Sequence, residues 1–148
     1  MTTDNCYSCV QSATENLAIR ENIFYGDGWR VAHSFNSSLP GWLVLVPLRH
    51  ISSPDEMTAQ EAAALGGLIR DGSVALKITT NCEKTYVMMY AEAEGFSHVH
   101  FHLVPRMSDL PEERRGPKIF AYLKETPLDL TTQDEVAQNI RNAWPTGE

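Results

Sequence analysis

The run Ser97-His98-Val99-His100-Phe101-His102-Leu103-Val104-Pro105-Arg106 alternates histidine with apolar residues. In an extended strand alternate side chains share a face, so His98, His100 and His102 line one side while Val99, Phe101 and Leu103 turn into apolar packing on the other. Three of the chain's five histidines therefore form one ridge. Near neutral pH an imidazole serves as nucleophile, proton carrier or metal ligand, according to what holds its second ring nitrogen. A half-exposed strand with a histidine on its wet face is the plainer account of a lone histidine. Three at strict period two point instead to a site.

Upstream, the continuous apolar run Trp42-Leu43-Val44-Leu45-Val46 predicts a central strand buried on both faces and ended by Pro47, with His50 just beyond it, either as a rigidly held ligand or as an ordinary loop residue. Before that, Asn22-Ile23-Phe24-Tyr25 and Trp29 to Phe35 read as two strands paired across the Gly26-Asp27-Gly28 turn. In the second of these Trp29, Val31, His33 and Phe35 share a face, which makes His33 a core-edge histidine. Thr58-Ala59-Gln60-Glu61 is a capping box. It opens a long helix whose stripe is Leu65, Leu68, Ile69, Leu76 and Ile78, with Gly66, Gly67 and Gly72 allowing close approach to a sheet. Lys84 to Ala91 predicts the next strand, an antiparallel neighbour of the histidine strand, and Cys82 reads as a buried small apolar residue.

At the N-terminus, Cys6-Tyr7-Ser8-Cys9 can hold one zinc ion, act as a redox pair or be chance, and a short helix is expected over Gln11 to Ile19. After Arg106 the Asp109–Pro117 stretch is a polar loop. Ile119 to Leu123 is expected to pack on the core, and Thr131 to Trp144 to form a terminal helix with a threonine cap and an acidic first turn.

The 148 residues, 43% of them hydrophobic, suffice for one core, and a single domain over 1–148 is expected. A net charge of −7 and a pI near 5.2 argue against binding nucleic acid polymers or anionic membranes, though not against a small anion in a local pocket. No apolar window reaches membrane-spanning length, Met1 to Asn5 carries no basic or apolar leader, and three cysteines make no secreted disulfide framework. A cytoplasmic location is expected.

The pattern His-hydrophobic-His-hydrophobic-His-hydrophobic-hydrophobic over His98 to Val104, followed by Pro105-Arg106, resembles the signature of the histidine triad superfamily of nucleotide hydrolases and transferases. Pro40-Gly41-Trp42 to His50 is similar to that family's upstream strand, so the resemblance covers about positions 20–106, with an N-terminal segment 1–19 and a C-terminal extension 107–148. It implies an α+β domain with an antiparallel sheet, one long helix and a C-terminal helix, usually a homodimer, with a nucleotide bound beside the triad. It further implies that His100 attacks the α-phosphorus of a nucleotide conjugate, such as a dinucleoside polyphosphate or a nucleoside phosphoramidate, forming a nucleotidyl-histidine while His102 assists. Ser34, Gly95, Phe96, Ser97 and His98 would contact the substrate, and Cys6, Cys9, His50 and His98 would close around a structural zinc. The chain departs from the pattern where Glu94 replaces a common Gln, Ser34 a common Asn and Trp42 a common His. Two other classes stay open: a metallohydrolase using all three histidines as ligands, and a nucleotide-binding module without turnover.

Overall fold

The computed structural model describes residues 5–146; the terminal stretch Met1 to Asp4, read above for a leader, lies outside them. Five antiparallel strands, β1 (Phe24–Gly26), β2 (Trp29–His33), β3 (Leu43–Pro47), β4 (Lys84–Met88) and β5 (Phe101–Arg106), form one sheet in the order β1-β2-β3-β5-β4. With α1 (Tyr7–Ala13), α2 (Ala59–Thr80) and α3 (Leu130–Ala143), the chain is α+β.

Period two decides the two faces of the sheet. Val31, Leu43, Leu45 and Leu103 point to one side and pack with Leu68, Leu76, Ile140 and Trp144 of and beside α2 and α3. Trp42, Val44 and Val104 belong to the other side, where Ile119 and Phe120 from a nine-residue 3-10 segment (Gly116–Lys124) meet them. The expected packing of Ile119 is thus present, and it covers the sheet face opposite the long helices.

The capping box forms as read: Thr58 Oγ1 accepts from the Glu61 amide and the Glu61 carboxylate accepts from the Thr58 amide. Glu61 also pairs with Arg49, and the two contacts hold its carboxyl down at about 2. The α2 stripe is narrower than expected. Leu68, Ala75 and Leu76 are buried, but Ile78 is 66% exposed. Of the three glycines only Gly72 makes the close approach, since a Cβ there would lie 2.5 Å from Leu103 Cδ2, whereas Gly66 and Gly67 face open space.

Several expected boundaries move. The first helix occupies Tyr7–Ala13 rather than Gln11 to Ile19, because Cys6 caps it through its sulfur, and the chain leaves the helix at Thr14 and turns at Asn16, where φ is 56°. β1 shifts to Phe24–Gly26, with the Ile23 amide still donating to the Val31 carbonyl. β4 stops at Met88, ahead of Ala91, which turns the backbone at φ 55°. The terminal helix is capped by Asp129, whose carboxylate accepts from the Thr132 amide, not by Thr131, and its first turn carries no acid. The largest change concerns the histidine run, whose ladder begins only at Phe101. His98 and His100 precede it, where the Val99 amide donates instead to the Ile51 carbonyl at 2.8 Å.

Candidate active site and metal cluster

That single backbone bond brings the histidine run beside the loop after β3, and the run divides there. His98, 1% exposed, turns toward the N-terminal helix. Its Nδ1 lies 3.4 Å from Cys6 Sγ, 3.5 Å from Cys9 Sγ and 3.2 Å from His50 Nδ1, while Cys9 Sγ is 3.4 Å from His50 Nδ1. All four donor atoms fall within 4.8 Å of one another. The His98 Nε2–H donates to the Pro47 carbonyl at 2.8 Å, which puts that ring's lone pair on Nδ1, aimed at the cluster. Burial first, then the hydrogen bond and charge of Cys6, push the Cys9 thiol up to about 11. Two sulfurs and two imidazoles at this spacing are a donor set that could hold one metal ion.

His100 and His102 turn the other way, into a cavity of about 640 Å³ on the sheet face away from α2 and α3. Their rings are 4.9 Å apart. His100 donates from Nδ1 to the His98 carbonyl at 2.8 Å, leaving the Nε2 lone pair for the cavity. His102 accepts from the Trp42 indole N–H at 3.0 Å through Nδ1, so its proton sits on Nε2. Burial, then the neighbouring His100, lowers the His102 pKa to about 3 and keeps that ring neutral. The pair is thus a free lone pair beside a neutral N–H donor. One end of the cavity is aromatic, with Tyr7, Phe35 and Phe96 packed at centroid distances of 4.9, 5.7 and 5.8 Å, and Ser34 and Asn36 next to them. At the other end Phe120 sits edge-on to His102 at 5.1 Å and to Tyr90 at 5.5 Å.

No family model and no curated protein matches the chain. Solved structures do. A zinc-bound histidine triad family protein from Mycobacterium smegmatis superposes with a TM-score of 0.69 at 17% identity, covering 96% of this chain and 94% of the other. A histidine triad protein from Bradyrhizobium japonicum gives 0.69 at 21%, covering 83% and 89%. The chain has the histidine triad fold. A uridylyltransferase also shares it, with a TM-score of 0.63 at 22% identity over 93% of this chain, which spans 44% of that larger one.

On this histidine triad fold the residues singled out from sequence divide into two groups. Cys6, Cys9, His50 and His98 come together as one cluster. His100, His102, Ser34 and Phe96 line the cavity; His98, Gly95 and Ser97 are not among its walls, and Glu94 is exposed and outside it. His33 is the core-edge histidine expected: its Nδ1–H donates to the Ser34 carbonyl and its Nε2 accepts from the Gly41 amide, closing the turn before β3. Phe35, expected at the end of β2 on one face with Trp29 and Val31, lies past the end of that strand and in the aromatic group. Sequence reading missed Tyr7, Tyr90 and Phe120 as cavity walls, because Tyr7 and Phe120 arrive from other segments and Tyr90, expected within a strand, lies past the end of β4. It also missed the buried pair Arg30–Glu21, 2.9 Å apart, whose carboxylate accepts from the Tyr7 hydroxyl at 2.5 Å. An arginine alternating with Trp29 and Val31 on a strand was the one available signal for that pair.

Proposed function

We propose that this protein is a nucleotide hydrolase or nucleotidyl transferase acting at the α-phosphate of a nucleotide conjugate, a dinucleoside polyphosphate or a nucleoside phosphoramidate. The observation that carries the reading is the complementary state of two adjacent imidazoles, His100 with a lone pair on Nε2 and His102 with a proton on Nε2, at the wall of a nucleotide-sized cavity. His100 Nε2 attacks phosphorus, the N–P bond forms as the bond to the leaving group breaks, and the leaving group departs with the bonding pair, as the phosphate anion of a polyphosphate or, protonated on nitrogen from solvent, as the amine of a phosphoramidate. The His98 carbonyl, already accepting from His100 Nδ1–H, stabilises the positive charge that the phosphorylated ring acquires. His102 Nε2–H donates to a phosphate oxygen without changing its own charge. Water then cleaves the N–P bond and regenerates the neutral ring.

Cys6, Cys9, His50 and His98 suit a structural zinc. With Zn–S near 2.3 Å and Zn–N near 2.05 Å, the edges of a tetrahedron come to about 3.3 Å for N–N and about 3.6 Å for N–S, against 3.2 and 3.4–3.5 Å between these donors. Two thiolates and two imidazoles make a closed set, so the ion would fasten α1 to the histidine run and open no position for water. The metallohydrolase alternative is less well supported, since His98 points to the cysteines and His100 and His102 commit Nδ1 elsewhere. A second copy of the chain, giving a homodimer, is part of the proposal by analogy with the fold's relatives, and light scattering that returns only the 16.6 kDa monomer at micromolar concentration would remove it.

A panel of dinucleoside polyphosphates and nucleoside phosphoramidates, assayed beside elemental analysis of protein purified without chelator, tests the reading. Release of a nucleoside monophosphate from one panel member, with kcat at saturating substrate retained in a chelator that leaves the fold intact, supports it. Binding of nucleoside monophosphates without turnover of any panel member would reduce the protein to a binding module.

A further inference from the structure

α1 is seven residues long, and within it the metal cluster and the cavity share neighbouring positions. Cys6 caps the helix and Cys9 lies within it; Tyr7 and Ser8, between them, line the cavity. The Tyr7 ring packs on Phe35 at 4.9 Å and on Phe96 at 5.7 Å, and Phe35 is flanked by Ser34 and Asn36, which bond to each other through Ser34 Oγ at 2.8 Å. An aromatic wall, its rings tilted by 25–44° to one another, beside two hydroxyl- and amide-bearing side chains suits a nucleobase with its ribose. The opposite end, where Phe120 meets His102, remains for the leaving group.

We infer that Tyr7 is a positioning residue for the base, and that through it metal occupancy and nucleotide affinity are thermodynamically linked. The inference rests on the nucleotide and zinc readings above and goes beyond them. An isolated seven-residue helix does not hold its shape in water. Two attachments hold α1 here. One is the four-donor cluster. The other is the buried network in which Tyr7 Oη donates to Glu21 and Arg30 donates to Glu21, to Ser12 Oγ at 3.0 Å and to the Ser8 carbonyl at 3.4 Å. Emptying the cluster leaves the second attachment alone, so α1 frays from the Cys6 end and the Tyr7 ring loses its fixed place against Phe35 and Phe96. A nucleotide stacked on that wall then binds less tightly. Reciprocity requires that bound nucleotide raise zinc affinity by the same factor.

The test uses the full chain and adenosine monophosphate as probe. Calorimetry gives the affinity of the zinc-loaded protein and of protein stripped by chelator, and competition with a coloured chelator gives zinc affinity with and without saturating probe. The expected result is a loss of about five- to tenfold in nucleotide affinity on stripping, matched by an equal gain in zinc affinity when nucleotide is present. In Tyr7→Ala, which keeps all four donors, zinc stays bound, nucleotide affinity falls by a similar factor and the linkage disappears, while Tyr7→Phe retains most of both. Should the stripped protein unfold, Tyr7→Ala in the zinc-loaded state carries the test, and unchanged nucleotide affinity there overturns the inference. Equal affinity of folded loaded and stripped protein overturns it as well, with the metal reading intact. Protein that neither contains nor takes up zinc overturns the linkage and the metal reading together.

Discussion

His98 and His100 stand two residues apart in one run, and they illustrate how neighbouring imidazoles acquire opposite employment. His98 spends its Nε2–H on the Pro47 carbonyl and turns Nδ1 to two sulfurs and a second imidazole, fully buried. His100 spends Nδ1–H on the carbonyl of His98 itself and turns Nε2 to an open cavity. The residue type is the same; the backbone carbonyl that each ring meets decides which nitrogen keeps its lone pair and where it points. His102 is a third case, in which an indole N–H takes the Nδ1 lone pair and leaves a donor.

If the division is right, substitutions on its two sides fail differently. The largest effect is expected from His100→Ala, a loss of at least about 10³-fold in kcat with nucleotide binding and zinc content retained. Steady-state kinetics beside elemental analysis check it, and near-normal turnover would break the division outright. Cys6→Ser attacks the other side. It should release zinc and destabilise the fold by about 3–5 kcal/mol, or about 10 °C in Tm. A zinc-free variant with unchanged melting would show that the cluster holds nothing together. Trp42→Phe keeps an aromatic ring but removes the donor to His102. The rate should fall about tenfold, equivalent to about 1.4 kcal/mol, without loss of metal.

The last effect is on pH. The His102 pKa is lowered from 6.5 to about 3 in the folded protein by burial, so between those values the unfolded chain binds more protons. Its contribution is therefore fully present above pH 6.5 and is lost as the pH falls toward 3. His33, buried and lowered as well, acts in the same direction. The readout is accordingly a difference: His102→Asn should flatten the decline in stability between pH 6.5 and 4 relative to the unsubstituted chain, and parallel curves would contradict a buried neutral His102.

Much of this was legible in the residues themselves. The apolar run at β3, the capping box of α2 and the alternation at β5 are local signals, and Cys6, Cys9, His50 and His98 were nameable as a set once the run resembled a known signature. What escaped was non-local or sterically decided. Nothing in Gly116–Lys124 announces that Phe120 will lie against His102, since that contact depends on the segment folding back across the sheet. Period two also overreached at His98 and His100, which lie ahead of the ladder because the Val99 amide pairs with Ile51. Strict alternation gave one ridge of three histidines where the molecule has one ring on the cysteine side and two on the cavity side.

The covalent role of His100 is tested most directly by intact-protein mass spectrometry after rapid quench with a substrate found in the panel. A mass increase of one nucleoside monophosphate in the unsubstituted protein, absent from His100→Ala, is the predicted result. A burst of product with no adduct on the protein, or an adduct undiminished in His100→Ala, would contradict it.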